Sequence, residues 1–242
     1  MRRFVDLHLK PELKGEDAEA LIARAADLGY KCVGVSLPFN HYRETSSTLK
    51  KICSDLGLDF VSRIDLQPPN SRVLLNALRR VRRTFEVVAV TCLSKSVARQ
   101  AAKDRRVDLL NFPSYDPRRR FFDKAEAELA SKSFASLEID MAPLLTLHDY
   151  QLASFLYTLR REVEIARKFD VKVVISSGAQ NTFLMRQPHD YVSLARLLDL
   201  DKDLALDALS ENPKSIIERN RRKLSPDYVA PGVYIVRRGS DG

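Results

Sequence analysis

Short apolar runs alternate with longer amphipathic segments along most of this chain. Seven apolar runs have the length and β-branched content of buried strands: Phe4–Leu9, Cys32–Leu37, Phe60–Ile64, Val87–Thr91, Val107–Leu110, Ser136–Ile139 and Val173–Ser176. The segments between them have helical spacing: Glu16–Leu28, Ser46–Leu56, Ser71–Phe85, Lys95–Lys103, Lys124–Ser131, His148–Phe169, Tyr191–Leu198 and two pieces between Lys202 and Asn220. A strand-then-helix rhythm repeated seven times predicts a parallel sheet with helices outside it.

The length and continuity of the pattern favour one domain. A chain of 242 residues is a normal length for one β/α barrel, and no Gly/Ser-rich linker divides it. We therefore predict an α/β fold, a single TIM-like β/α barrel over residues 1–223. Residues 224–242 form a C-terminal tail in which Val233–Val236 could make one short extended segment. A doubly wound open sheet is the alternative.

Composition and charge indicate the class of binding partner and the cellular compartment. The 40 basic residues outnumber the 32 acidic ones, which gives a net charge of +8. This excess suggests a polyanion such as nucleic acid, although a solvated, ion-paired surface has the same composition. The three cysteines include no CxxC pair, the N-terminus lacks a signal-peptide pattern, and no apolar run reaches about 18 residues. We therefore expect a cytoplasmic protein that does not contact a membrane.

The segment Ser71–Phe85 carries the best-organised positive charge. Its apolar residues recur at helical spacing and form a buried stripe, and Arg72, Arg79 and Arg83 lie roughly opposite. No acidic residue interrupts Arg72–Thr84, so these charges are not neutralised within the helix. The arrangement favours phosphate contacts over a salt-bridged surface, although a solvated helix remains an alternative.

Polar residues on the first and sixth predicted strands are the candidates for a functional site. Positions two apart on a strand face the same side, so we expect Asp6 and His8 to point together into the barrel mouth. With Glu138 they would form a hydrogen-bonded polar cluster that closes the barrel top. A mononuclear metal site from His8, His41 and Glu138 is the alternative.

The segment from Lys172 to Tyr191 resembles part of the PHP family of metal-dependent phosphoesterases. There, a strand in this setting ends in a Ser-Asp-Ala-His-like motif that supplies metal ligands. In this chain Gly178 stands at the Asp position, Gln180 at the His position, and Lys10 at a second metal-binding His near the N-terminus. The resemblance therefore implies an inherited site without its ligands. Ser177 could instead offer a backbone N–H to a phosphate near Arg186.

Several short motifs together resemble one family. They are Phe4–His8, Ser176–Ala179, Arg186-x-Pro188, Asn212–Ile217 and Asn220-Arg221. In order and spacing they are similar to archaeal ribonuclease P protein component 3, a relative of the thirty-kilodalton eukaryotic subunit, over about residues 3–223.

The resemblance implies a TIM-like barrel related to PHP enzymes and a non-catalytic, RNA-binding subunit of a ribonucleoprotein. That particle removes 5′ leaders from precursor tRNA. Catalysis would come from the ribonuclease P RNA with Mg²⁺, so no cofactor is expected on this chain. Its partners would be that RNA, protein component 2 and the other protein subunits, with precursor tRNA contacted indirectly.

We predict the following RNA contacts: Arg63, Arg72, Arg79, Arg83, Lys95, Arg118, Arg119, Arg120, Ser177 and Arg186. Replacing Arg118–Arg120 with alanine should weaken RNA binding and leave thermal stability nearly unchanged. Two other functions remain open. One is a metal-dependent phosphoesterase that uses Asp6, His8, His41 and Glu138, and the other is a protein-interaction scaffold with incidental charge.

Overall fold

A computed structural model describes residues 2–13, 17–113, 119–230 and 233–235 of the chain. The barrel strands are β1 (Val5–Leu9), β2 (Cys32–Ser36), β3 (Asp59–Leu66), β4 (Val87–Thr91), β5 (Leu109–Asn111), β6 (Ser136–Asp140) and β7 (Val173–Ser176). The helices are α1 (Asp17–Asp27), α2 (Tyr42–Asp55), α3 (Ser71–Val81), α4 (Lys95–Lys103), α5 (Lys124–Ser131), α6 (Ala142–Thr146), α7 (Asp149–Lys168), α8 (Pro188–Ala195), α9 (Lys202–Ala208) and α10 (Glu211–Leu224).

The seven strands form one parallel sheet in chain order, from β1 at one end to β7 at the other. Sequential order distinguishes a barrel from a doubly wound sheet, in which the strand order reverses at a switch point. The sheet curls until β7 lies beside β1, giving a nearly closed barrel surrounded by helices. The predicted TIM-like α/β barrel is confirmed, and the open-sheet alternative is wrong.

The seam between β1 and β7 is held by a few specific hydrogen bonds. The Lys10 N–H donates to the Ala179 carbonyl at 2.8 Å, and the Ser177 N–H donates to Asp6 Oδ1 at 3.0 Å. At the other end of the seam, the Val5 N–H donates to the Leu209 carbonyl at 2.9 Å. These bonds satisfy edge groups that an open sheet would leave unpaired.

Two apolar clusters fill the molecule. The larger lies between the strands and the surrounding helices. The smaller fills the lower barrel interior and is closed from below by Ile216 and Ile217 of α10. Ionic contacts hold the same helix in place, since Arg221 pairs with Asp59 at 2.9 Å and with Glu86 at 2.6 Å. Helix α10 is thus the plug of the barrel base.

Some predicted boundaries shift in the structure. The fifth strand begins at Leu109 and runs to Asn111, two residues later than predicted, and α3 ends at Val81 instead of Phe85. Phe85 is nevertheless fully buried, because after a short turn it packs in the larger apolar cluster, 5.1 Å from the ring of Tyr42. Beyond α10, Tyr228–Ala230 and Val233–Tyr234 pair as two antiparallel strands. No helix in the described ranges has the length and apolar character needed to cross a membrane.

Candidate functional site

A bulge in β1 sets the geometry of the barrel mouth. Asp6 pairs with Val33 but Leu9 pairs with Val35, so β1 contains one extra residue between these pairs. Leu7 belongs to the interior apolar cluster, and His8 also faces inward, where it contacts carboxylates from other strands. The prediction that Asp6 and His8 point together is therefore wrong, because the extra residue breaks the two-residue alternation.

Asp6 holds the bulge and does not join the other carboxylates. Its Oδ1 accepts hydrogen bonds from the backbone N–H groups of His8 at 3.1 Å and Ser177 at 3.0 Å. Burial raises the pKa of this carboxyl group despite those hydrogen bonds. Asp6 therefore links the bulge of β1 to the turn after β7.

The centre of the mouth is an ionic network around Arg63. Its guanidinium pairs with both oxygens of Glu138 at 2.5 and 2.6 Å and with Asp65 Oδ1 at 2.7 Å. It also donates to the Leu7 carbonyl at 2.9 Å, which turns inward at the bulge. Gly34 faces the same carbonyl, and a Cβ there would lie 2.6 Å from that oxygen. Arg63 is completely buried, so the structure removes it from the residues able to reach an external phosphate.

The upper part of the mouth is organised by Asp140. His8 Nδ1 lies 2.7 Å from Asp140 Oδ1, and the Lys10 ammonium lies 3.2 Å from Asp140 Oδ2. Asn111 donates to Asp140 at 3.2 Å and to Glu138 at 3.0 Å. Although burial opposes ionisation of Asp140, its cationic neighbours hold the pKa of that carboxyl below its ordinary value.

Opposing effects act on the pKa of the His8 imidazole. Burial and the charge of Arg63 lower the pKa of its imidazole, because both disfavour the cation. The three surrounding carboxylates raise that pKa by more, so the net direction is upward. The same ring and Arg63 keep the pKa of Asp65 below its ordinary value, against the effect of burial.

The absence of a side chain at position 178 has a steric explanation. Gly178 has a backbone φ of 64°, in the left-handed region. A Cβ on this residue would lie 2.8 Å from both Cβ and Cγ of Asp140. The space that an aspartate would take at this position is thus occupied by a carboxylate from the adjacent strand β6.

The residues of the mouth fit a metal ion poorly. Ligand atoms of His8, Glu138 and Asp140 lie within 4.8 Å of one another, as a metal site would require. Two fixed cations, Arg63 and Lys10, already pair with these carboxylates. His41 is exposed at the start of α2 and takes no part in the group. A divalent cation would have to compete with the bound guanidinium and ammonium.

Besides Arg63, three of the predicted RNA contacts are internal or outside the described residues. Ser177 is buried, and its N–H is already bonded to Asp6, so this N–H is not available to a phosphate. Arg120 pairs with the buried Glu162 at 2.6 Å and packs against the rings of Phe112 and Phe155. Only 2% of its side chain is exposed, so the structure predicts that replacing Arg120 lowers thermal stability, contrary to the expectation from sequence. Arg118 lies outside the described residues.

The other predicted contacts lie at the surface. Arg72, Arg79 and Arg83 are exposed on or just beyond α3. Within the described ranges, none of the three has a carboxylate within ion-pair distance. Lys95 is exposed and lies 3.6 Å from Asp123. Exposed Arg119 and half-buried Arg186 are also accessible, and Arg186 donates to the carbonyls of Phe183 and Met185 at 2.7 and 2.8 Å.

Sequence reasoning overlooked the residues that complete the network. Asp65 follows Arg63 by two positions on β3, and Asp140 follows Glu138 by two positions on β6. Because positions two apart on a regular strand face the same side, each carboxylate is predicted to lie on the same side as Arg63 or Glu138. Three smaller partners, Ser36, Asn111 and Ser176, carry no comparable local signal.

Comparison with known proteins assigns the chain to a family. The family model described as RNase P subunit p30 matches residues 3–225. The chain belongs to this family. Ribonuclease P protein component 3 of Methanosarcina mazei is 31% identical over 218 residues, which cover 90% of this chain and 89% of the relative. The family resemblance inferred from short motifs is therefore confirmed.

Solved structures of other proteins share the barrel fold of this family member. A chain in the cryo-EM structure of archaeal ribonuclease P with mature tRNA superposes with a TM-score of 0.84 at 21% identity, covering 98% of this chain and all of the other. Histidinol phosphate phosphatase from Lactococcus lactis, complexed with zinc, L-histidinol and phosphate, gives 0.52 at 9% identity, with coverage of 90% and 94%. The phosphatase shares the fold alone.

Proposed function

We propose that this chain is a non-catalytic, RNA-binding protein subunit of ribonuclease P, the ribonucleoprotein that removes 5′ leaders from precursor tRNA. Membership of the RNase P subunit p30 family supports the assignment. The observation that carries the non-catalytic part is the pairing of Arg63 with Glu138 and Asp65 inside the mouth. Carboxylates held by a guanidinium are poorly available as metal ligands or as a general base.

In this proposal the RNA component supplies the chemistry, and this chain binds no cofactor. Mg²⁺ acts at the RNA active site. The partners are the ribonuclease P RNA, protein component 2 and other protein subunits, and precursor tRNA is contacted indirectly. We place the complex in the cytoplasm, in keeping with three buried cysteines that form no disulfide.

The exposed arginines of α3 are our leading candidates for phosphate contact. Arg72, Arg79 and Arg83 project from one helix and its C-terminal turn without a described carboxylate partner. Guanidinium groups of this kind bind phosphate without reading base sequence. Lys95, Arg119 and Arg186 remain candidates on the same surface criterion, although Lys95 would exchange its contact with Asp123 for a phosphate.

Reconstitution tests the role directly. Precursor tRNA cleavage is measured at moderate Mg²⁺ with this chain alone, with the RNA and the other protein components, and with all of them together. We expect cleavage to depend on the RNA and to increase when this chain is added. Cleavage by this chain alone, abolished in His8→Gln, would replace the proposal with the phosphoesterase.

The contribution of α3 has a matched test in the same assay. The triple variant Arg72→Gln, Arg79→Gln, Arg83→Gln should need a higher protein concentration for half-maximal cleavage, because three guanidinium groups no longer bind phosphate. The control variant Lys50→Gln, Lys51→Gln, Lys202→Gln removes the same charge from exposed positions elsewhere. Equal effects of the two variants would show that only net charge matters.

A further inference from the structure

The end of the barrel opposite the mouth carries a dense group of cations around one aromatic ring. Four of them, which we call the base cluster, come from three parts of the chain: Arg82 follows α3, Arg105 follows α4, and Arg219 and Lys223 lie on α10. Phe134, between α5 and β6, is 39% exposed, and its ring contacts three of the four cations, Arg105, Arg219 and Lys223. Each connection precedes a barrel strand, so the group belongs to the base of the barrel.

One buried carboxylate neutralises part of the base cluster. Asp108 is 1% exposed, and its oxygens bind Arg219 at 2.6 Å and Arg82 at 2.7 Å. The carboxylate also accepts a hydrogen bond from the Val88 N–H at 2.9 Å. Two guanidinium groups therefore share one negative charge. Nη2 of Arg82 is buried and has no hydrogen-bond partner among the described residues.

The other two cations of the base cluster lack a described carboxylate partner. The Lys223 ammonium lies 4.4 Å from the centre of the Phe134 ring, and the Arg105 guanidinium lies 5.9 Å from it. Arg219 packs on the same ring at 4.7 Å. Burial lowers the pKa of Lys223, and the neighbouring arginines lower it further because like charges repel. Asp108 offsets only part of this effect. The cluster has an excess of positive charge, because among the described residues its four cations pair with one carboxylate, Asp108.

We propose that the base cluster binds RNA phosphate, so that RNA reaches the barrel end opposite the mouth. This inference rests on the proposed function. Several cations converging on one point match the charge density of a nucleic-acid backbone, and guanidinium groups offer forked donors that fit phosphate oxygens. Exposed Arg83 and Arg222 adjoin the cluster in sequence and extend the same positive surface. An acidic protein segment is the competing partner.

The test removes only the two cations of the base cluster, Arg105 and Lys223, that have no described carboxylate within ion-pair distance. The double variant Arg105→Gln, Lys223→Gln leaves the ion pairs of Asp108 intact. The control Lys50→Gln, Lys51→Gln makes the same change in net charge on exposed positions of α2. Both are assembled with ribonuclease P RNA and the other protein components. The readout is the protein concentration for half-maximal precursor tRNA cleavage over a range of salt concentrations, with thermal unfolding measured in parallel.

We expect the base variant to need several-fold more protein and to show a shallower salt dependence. The slope of log affinity against log salt should fall by about 0.7 to 0.9 for each phosphate that the variant no longer binds. The control should behave as the wild type, and Arg105→Lys combined with native Lys223 should retain most of the affinity.

Three outcomes would overturn the proposal. Equal behaviour of the base variant and the control variant would show that the base cluster does not bind RNA phosphate. An unchanged salt slope, with weaker association to the other protein components in the absence of RNA, would assign the surface to an acidic protein. A wild-type chain that never affects cleavage would overturn the proposed function, and this inference with it.

Discussion

The guanidinium of Arg63 lies between two carboxylates in the barrel mouth, and its position sets the charge balance there. An arginine on a strand can point outward to a ligand or inward to an acid, and the choice depends on residues distant in sequence. Here Glu138, 75 positions away, supplies a two-oxygen partner. Arg63 is consequently a structural cation, and the sequence-based assignment to RNA does not hold.

Replacing Arg63 should therefore destabilise the fold. Arg63→Met removes the guanidinium partner of buried Glu138 and half-buried Asp65. Breaking a buried ion pair in this way typically costs about 3–5 kcal/mol. The control Arg72→Met changes an exposed residue and should stay within about 0.5 kcal/mol. Denaturant unfolding at neutral pH measures both. Equal stability of the two variants would show that the buried ion pairs contribute nothing.

A second prediction at the scale of single residues concerns Gly178. Gly57, which has a similar backbone conformation, is its control. Gly178→Ala places a Cβ 2.8 Å from the Asp140 side chain, whereas Gly57, at a φ of 68°, has nothing within 4 Å. Gly57→Ala should reduce the free energy of unfolding by about 1 kcal/mol from backbone strain alone. Gly178→Ala should reduce it by about 1–3 kcal/mol more, from overpacking. Similar reductions, measured by chemical unfolding, would contradict the account of Gly178.

The raised pKa of His8 predicts a pH dependence of stability. Because the folded pKa lies above the ordinary value of 6.5, the folded state binds this proton more tightly. The resulting stabilisation is complete below the unfolded pKa and is lost as pH rises through the folded pKa. The stability advantage of wild type over His8→Gln should therefore shrink as the pH rises above about 6.5. A stability advantage that grows with pH would contradict a raised pKa of His8 in the folded state.

At the scale of elements, α10 closes the barrel and also contributes to the base cluster. Its apolar face inserts Ile216 and Ile217 below the strands, and its polar face binds the barrel rim through Arg219, Asn220 and Arg221. The Asn220 side chain donates to the Glu86 carbonyl at 2.7 Å. The final motif of the family resemblance therefore has a structural role in this chain.

The packing of α10 predicts a large loss of stability when one of its buried side chains is truncated. Ile216→Ala should reduce the free energy of unfolding by about 2–5 kcal/mol, because it leaves a cavity under the interior cluster. Glu218→Ala changes an exposed position on the same helix and should stay within about 0.5 kcal/mol. Thermal and denaturant unfolding distinguish them. A mild effect of Ile216→Ala would mean that α10 is not needed to seal the base.

The whole molecule has two ends with different electrostatic character. At the mouth, Arg63 and Lys10 pair with the acids of two strands, β3 and β6. At the base, Asp108 is the carboxylate that pairs with two of the four cations. The base cluster therefore lies at the end opposite the one at which TIM-barrel enzymes usually have their active sites.

The balanced charge of the mouth predicts that the purified protein carries no stoichiometric metal. Elemental analysis should find far less than one zinc or manganese per chain, and a chelator should leave the melting temperature unchanged. The informative control is Arg63→Met assayed in the same way, because it removes one competing cation. About one tightly bound metal per wild-type chain would revive the phosphoesterase.

The sequence by itself determined the class of fold and the family. Strand and helix periodicities are local, so seven strand segments and their helices could be read from apolar spacing, with boundary shifts of a few residues as at β5 and α3. The exposed arginines of α3 were equally readable, because helical spacing separates Leu74 and Leu78 from Arg72 and Arg79.

Only the tertiary structure decided which charged residues are internal. Arg63 and Arg120 look like surface cations in sequence, yet each meets a buried glutamate from a distant element. The bulge in β1 likewise turns His8 away from the side of Asp6, which alternation alone cannot foresee. Ion pairs and barrel closure depend on contacts between distant segments, and those contacts exist only once the chain has folded.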